Sequence, residues 1–302
     1  MTTLFHQDVV VATLGSGSRG NCTYIGDGRK GLLVDCGIST KQIIGRLREI
    51  GLGDSSIEAV LVTHEHNDHV AAARVLDNRL FKQQGAHVPF FMTRGTAEGI
   101  RQNVVPSAFK PVYSGMNFTV GSWTVEPCSI PHDTRDPVSY VVDLQGVRVG
   151  VVTDLGRSTK LVEQQIASMD IAVLEFNHDP TMLHEGPYPW ALKRRIQGAH
   201  GHLSNAQAGQ LVQQAATPRL KHLVLAHLSE ENNLPELALE AAAEALHHAD
   251  CTGVEVVVAT QQLALEPIRV ALPDNFRPKA KRRISELKSS IPDDAHLQVA
   301  LF

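Results

Sequence analysis

The chain is poor in the residues that mark several common protein classes. Its 302 residues include four cysteines, Cys22, Cys36, Cys128 and Cys251, far apart and with no C-x-x-C pair. That spacing argues against a disulfide-stapled scaffold, and it points to reduced thiols in a cytoplasmic protein. No apolar run approaches the ~20 residues of a membrane span, so no membrane partner is expected. The first eight residues lack a basic region, and Val9–Leu14 is too short for a signal-peptide core. Aromatic residues are only 5% of the chain, but hydrophobic residues reach 43% and charged ones 20%, which suits a core-forming protein and excludes global disorder. Net charge is also small, at −4. It is uneven: residues 277–288 carry six basic side chains against one acidic, +5, leaving −9 for the rest. Such a body lacks the field of a strong nonspecific nucleic-acid binder, although a local basic groove is compatible with it.

Short apolar segments punctuated by glycine run through the first 260 residues. Val9–Leu14, Gly31–Asp35, Ile57–Thr63, Trp123–Glu126, Val138–Asp143, Val147–Thr153, Ile171–Leu174, Leu223–Ala226 and Gly253–Ala259 read as strands. Thr40–Glu49 has Ile43, Ile44 and Leu47 at helical spacing, and Gly51 stops it. Val70–Leu80, Leu234–Ala249 and a segment ending at Ala216 with Ser204 as its N-cap complete the predicted helices. Strands alternating with helices predict one layered α/β domain over residues 1–272. A basic, proline-flanked extension over residues 273–302, which turns apolar at Ala295–Phe302, is expected to be a solvated tail, with docking of its apolar end on the body or on a partner subunit as the alternative.

Against these scarcities, histidine is abundant, with fifteen in all. Three of them fall in Thr63-His64-Glu65-His66-Asn67-Asp68-His69, directly after an apolar strand. Packing three imidazoles and carboxylates into one turn gains a fold little, whereas a divalent cation makes the cluster favourable.

The H-x-H-x-D-H order resembles the metallo-β-lactamase superfamily. That resemblance implies a four-layer αβ/βα sandwich and a centre of two divalent metal ions, with Zn2+ the first expectation and Mn2+ or Fe2+ alternatives. By resemblance, His64 and His66 would bind one ion, and Asp68 and His69 the second. Further motifs match in order: His132 in Ser129-Ile-Pro-His-Asp133 would complete the first site, Asp154 would bridge, and His227 would complete the second. Asp35 would orient the histidine turn, and Glu175 would support the ligands from behind.

Other segments are similar to the YycJ/WalJ-like branch: Leu14-Gly-Ser-Gly-Ser-Arg-Gly-Asn-Cys22, Glu175-Phe-Asn-His-Asp179, Gly201-His-Leu-Ser-Asn205 and Leu225-Ala-His-Leu-Ser-Glu-Glu-Asn-Asn233. The branch implies a phosphodiester hydrolase with 5′-to-3′ exonuclease action on DNA. Two ions ~3.5–4 Å apart would activate water for in-line attack on phosphorus and hold the phosphoryl oxygens. The expected catalytic set is Asp68, Asp154, His202 and His178. Ser16, Ser18, Arg19, Ser204 and Asn205 are candidate phosphate contacts, from a glycine-rich loop and a helix N-terminus. Lys193, Arg194 and Arg195 read by default as a solvated helix face, with a groove along a nucleic-acid backbone the functional alternative. A small-molecule or cyclic phosphodiesterase is the second reading. A noncatalytic regulatory binding protein on the same scaffold is the third. Nothing in the sequence chooses between a monomer and a homodimer.

Overall fold

The computed structural model describes residues 8–53 and 56–273; the basic run and the apolar end at 295–302 lie outside the described residues. Among these residues, fourteen strands form two seven-stranded mixed sheets. The first runs β14 (Ile268–Ala271), β1 (Asp8–Gly15), β2 (Cys22–Gly26), β3 (Gly31–Val34), β4 (Ile57–Leu61), β5 (Phe90–Met92) and β6 (Phe109–Pro111). The second runs β13 (Glu255–Val258), β12 (His222–Ala226), β11 (Ile171–Glu175), β10 (Val147–Val152), β9 (Val138–Leu144), β8 (Trp123–Ser129) and β7 (Phe118–Val120). In both, one half of the sheet is antiparallel and the other parallel, with the change at β3 and at β10.

The strand sequences explain the layering. In β1 the side chains alternate, yet both faces are apolar: Val9 and Val11 enter the core between the sheets, while Val10, Ala12 and Leu14 enter a second core under helices. Each sheet is therefore buried on both sides, as continuous Val/Ile/Leu runs require. On the first sheet, α1 (Thr40–Glu49) contributes Ile43, Ile44 and Leu47 and α3 (Ala73–Gln84) contributes Leu76 and Leu80; between them lies the one-turn α2 (Asn67–Val70). The short α4 (Arg94–Gly99) follows β5. On the second sheet, α5 (Lys160–Ala167), α8 (Asn205–Ala215) and α9 (Pro235–His248) bury Ile166, Leu211, Val212 and Ala242. The expected αβ/βα sandwich is the observed fold. Tyr140 on β9 joins the sheets: its hydroxyl donates to Val62 O (3.0 Å), so a large ring is buried with its polar end satisfied. No described helix is long and apolar enough to cross a membrane.

Two sequence-based expectations change. The single helix over Val70–Leu80 is two helices, because Cys36 N donates to His69 O (2.8 Å) and Ala72 N donates to Cys36 O (3.0 Å). Backbone groups that would continue the helical ladder are spent on tying the histidine turn to the end of β3. Several predicted strands also stop one or two residues early, since their last residues leave the ladder to carry the functional side chains.

Candidate metal centre

The carboxyl ends of the parallel strands all open on one edge of the sandwich, where an α/β architecture places its ligand sites. Asp35 follows β3, His64 follows β4, Asp154 follows β10, Glu175 ends β11 and His227 follows β12. Asp35, Asp154 and His227 have φ of 62°, 59° and 56°. This left-handed backbone turns each side chain inward, and Asp and His tolerate it better than β-branched residues would. Gly37 lets the neighbouring loop approach, because a Cβ there would lie 1.6 Å from Asp68 O.

Two triads result. Ligand atoms of His64, His66 and His132 lie within 4.8 Å of one another, as do those of Asp68, His69 and His227. Asp154 sits between them: Oδ2 is 3.1 Å from His69 Nε2, and Oδ1 is 3.7 Å from both His132 Nε2 and His227 Nδ1. His66 Nδ1 and His132 Nε2 face each other at 3.2 Å, a spacing that a proton or a cation must fill.

Hydrogen bonds from behind fix the tautomers. His69 Nδ1 donates to Asp35 Oδ2 (2.7 Å), His227 Nδ1 to Glu175 Oε1 (2.9 Å) and His132 Nδ1 to Gly201 O (3.2 Å). Thr63 Oγ1 donates to Asp35 and accepts from His64 Nδ1 (3.0 Å). In each case the other ring nitrogen keeps its lone pair, the arrangement that metal-binding histidines require. Glu175 is itself saturated: Oε1 also accepts from His202 Nδ1 (2.8 Å), and Oε2 accepts from Leu155 N (2.9 Å) and Leu203 N (3.1 Å). It is an anchor, with no oxygen left over.

The residues present fit divalent ions. His64 Nε2, His227 Nε2 and Asp154 Oδ2 are buried without a hydrogen-bond partner, and each such group costs ~1–3 kcal/mol unless something binds it. The charge distribution agrees. Burial pushes the His64 and His132 imidazoles below their ordinary range. Burial also opposes charge on His69 and His227, yet Asp154 and the other carboxylates outweigh it, raising His69 well up and His227 to about 10. These two rings thus sit between Asp154 and Asp68, carboxylates that the neighbouring imidazoles hold below their usual range against burial.

A cleft of about 360 Å3 opens onto this cluster. His66, Asp68, Asp154, His202 and His227 line it, with Ser18 at its edge. Other candidates are placed elsewhere. His178 is buried behind the wall with Nδ1 3.3 Å from Asn177 Oδ1, and burial lowers it to about 4; Asn177 lines the cleft instead. Ser16 Oγ accepts from His227 N (2.7 Å), so it supports the ligand strand. Arg19 pairs with Glu230 away from the cleft. Ser204 caps α8 in a capping box with Gln207, and Asn205 is buried against Asn233 (2.8 Å). None of these four lines the cleft.

The structure adds residues that spacing did not single out. Asn21 brings its amide 3.1 Å from His69 Nε2 and 3.5 Å from Asp68 Oδ2. Asp133 lines the cleft and accepts from Arg195 Nε. Arg195 belongs to α7 (Trp190–Ile196), which follows α6 (Pro180–Glu185); of the basic trio there, Lys193 is buried, Arg194 is exposed, and Arg195 lines the cleft. Asn21 lies in the glycine-rich loop and Asp133 beside His132, signals that sequence reasoning had in view but did not use.

Comparisons with known proteins place this geometry. Residues 31–228 match the beta-lactamase superfamily domain. Exodeoxyribonuclease YycJ of Bacillus anthracis is 33% identical over 238 residues, 78% of this chain and 88% of the relative. Exodeoxyribonuclease WalJ of Streptococcus pneumoniae is 32% identical over the same shares. Among solved structures, the metallo-beta-lactamase fold protein YhfI from Bacillus subtilis superposes with a TM-score of 0.62 at 16% identity, covering 85% of this chain and 99% of YhfI. The chain belongs to the metallo-β-lactamase superfamily of hydrolases, in its YycJ/WalJ branch.

Proposed function

We propose that the protein is a dinuclear metal-dependent nuclease that removes nucleotides from the 5′ end of DNA. The observation that carries the chemistry is the pair of donor triads flanking Asp154 beside one open cleft. The name exodeoxyribonuclease, borne by relatives that cover most of the chain, supports DNA as the substrate.

His64, His66 and His132 would hold one ion, and Asp68, His69 and His227 the other, with Asp154 shared. The ions, when bound, supply an activated water and offset charge on the phosphoryl oxygens. The chain does the rest. Asp35, Thr63, Glu175 and Gly201 keep the ligand rings from rotating. His202 lines the cleft with Nδ1 donating to Glu175, and although burial opposes charge on the ring, that carboxylate raises its pKa, so the imidazolium form would give its Nε2 proton to the leaving oxygen. Ser18 and Arg195 flank the same space for the nonreacting phosphate oxygens.

A substrate series tests this reading. Single-stranded and duplex DNA with 5′-phosphate, RNA of the same sequence, and dinucleotides are compared with zinc- and manganese-loaded protein. Preference for long 5′-phosphorylated DNA is expected; equal rates on dinucleotides would favour a small-molecule phosphodiesterase instead. Replacing His202→Ala should lower kcat by about 10²-fold or more without changing metal content. An unchanged kcat removes the proton-donor role.

A further inference from the structure

We infer that Tyr188, Leu192 and Ile196 form a seat for one unpaired nucleobase, with Arg195 beside them for a phosphate; the inference rests on the nuclease reading above. The cleft is polar on the metal side, and its three large apolar side chains all come from residues 188–196. Binding a phosphate and two cations needs no apolar wall. A nucleobase does, because its flat face gains from contact with an aromatic ring and aliphatic side chains.

The wall is built before substrate arrives. Leu192 and Ile196 are four residues apart on α7 and so share a face. Tyr188 lies between Pro187 and Pro189, which restrict the backbone on either side of it, and its half-buried ring loses little freedom on contact. Buried Lys193 ties the helix to the C-terminal end of α6 by donating to His184 O (2.6 Å) and Gly186 O (2.7 Å). Arg195 spends Nε on Asp133, and among the described residues its two terminal amino groups have no protein partner. They are free to meet a phosphate in the bidentate manner of guanidinium groups.

The apolar side chains line one wall of an open cleft and offer a face to a single base, so a duplex end would fray before its terminal base rests there, as in enzymes that extrude a base from the stack.

The test compares two 5′-phosphorylated single strands that differ only in the terminal residue, a normal nucleotide or an abasic one. On the wild-type protein, loss of the base should lower kcat/KM by about tenfold. Tyr188→Ala should lose about as much on the normal strand and less than about twofold on the abasic one, while Tyr188→Phe keeps wild-type behaviour. Wild-type indifference to the base overturns the inference without any variant, and so does an equal loss on both strands for Tyr188→Ala. Equal release from both strands removes only the base seat. Failure of the wild type to cut either strand while cleaving a dinucleotide removes the nuclease reading and the seat together.

Discussion

Asp154 carries two costs that a protein built for stability alone would shed. It is a carboxylate taken out of water, and its φ of 59° is a conformation that costs non-glycine residues roughly 1–3 kcal/mol. Such strain at a strand end is bearable where it aims a functional side chain. The two costs can be measured apart. Asp154→Gly and Asp154→Ala both remove the carboxylate, but only glycine relaxes the backbone, so metal-free Asp154→Gly should be more stable than Asp154→Ala by about 1 kcal/mol in denaturant unfolding. Both variants should lose hydrolysis. Equal stability of the two would mean that the left-handed turn is not strained. At this scale the H-x-H-x-D-H cluster was legible, because ligand residues crowd into six positions. His178, after a strand, and His202, just before a helix, were equal candidates for catalysis in the sequence; only the packing puts His202 on the cleft and His178 behind it.

Element placement follows from hydrogen bonds that spacing does not reveal. Helix α3 shows this: buried Asp77 accepts from His87 Nδ1 (2.7 Å) and from Ser107 N (2.7 Å), fastening the segments before β5 and β6 to the helix. Burial alone would raise this carboxyl, but those donors outweigh it and hold it below its usual range. A lowered folded value means that the ionised form stabilises the fold above the unfolded carboxyl pKa of ~3.9, and that this contribution disappears as pH falls through the lower folded value. Asp77→Asn should therefore be less stable than wild type at pH 7, and the gap should narrow below about pH 4. A gap that is constant from pH 7 to pH 3 would contradict the role. Long apolar strands such as β1 and β9 were evident from composition, whereas β5, β6 and β7 have three residues each, too few for alternation to register. Helix α7 read as a solvated basic face for a related reason: Lys193 is buried by bonding to carbonyls, which no hydrophobic pattern records.

Across the molecule, two half-parallel sheets bring strand ends 35, 64, 154, 175 and 227 to one edge. Residues separated by almost two hundred positions become one cluster, and the order of motifs in the sequence anticipated that convergence while the cleft's opposite wall stayed invisible. Local charge also changes meaning there. Asp35, Asp68, Asp154 and Glu175 bring four carboxylates to the centre, and two divalent ions would offset their four charges, leaving an edge that accepts an anionic strand despite the formal charge of −4. The most direct test follows 3′-labelled, 5′-phosphorylated DNA during incubation with metal-loaded protein, metal-stripped protein and Asp154→Ala. Products shortened stepwise from the 5′ end by the loaded wild type alone are predicted. Undiminished shortening by the stripped protein or by Asp154→Ala would contradict the account.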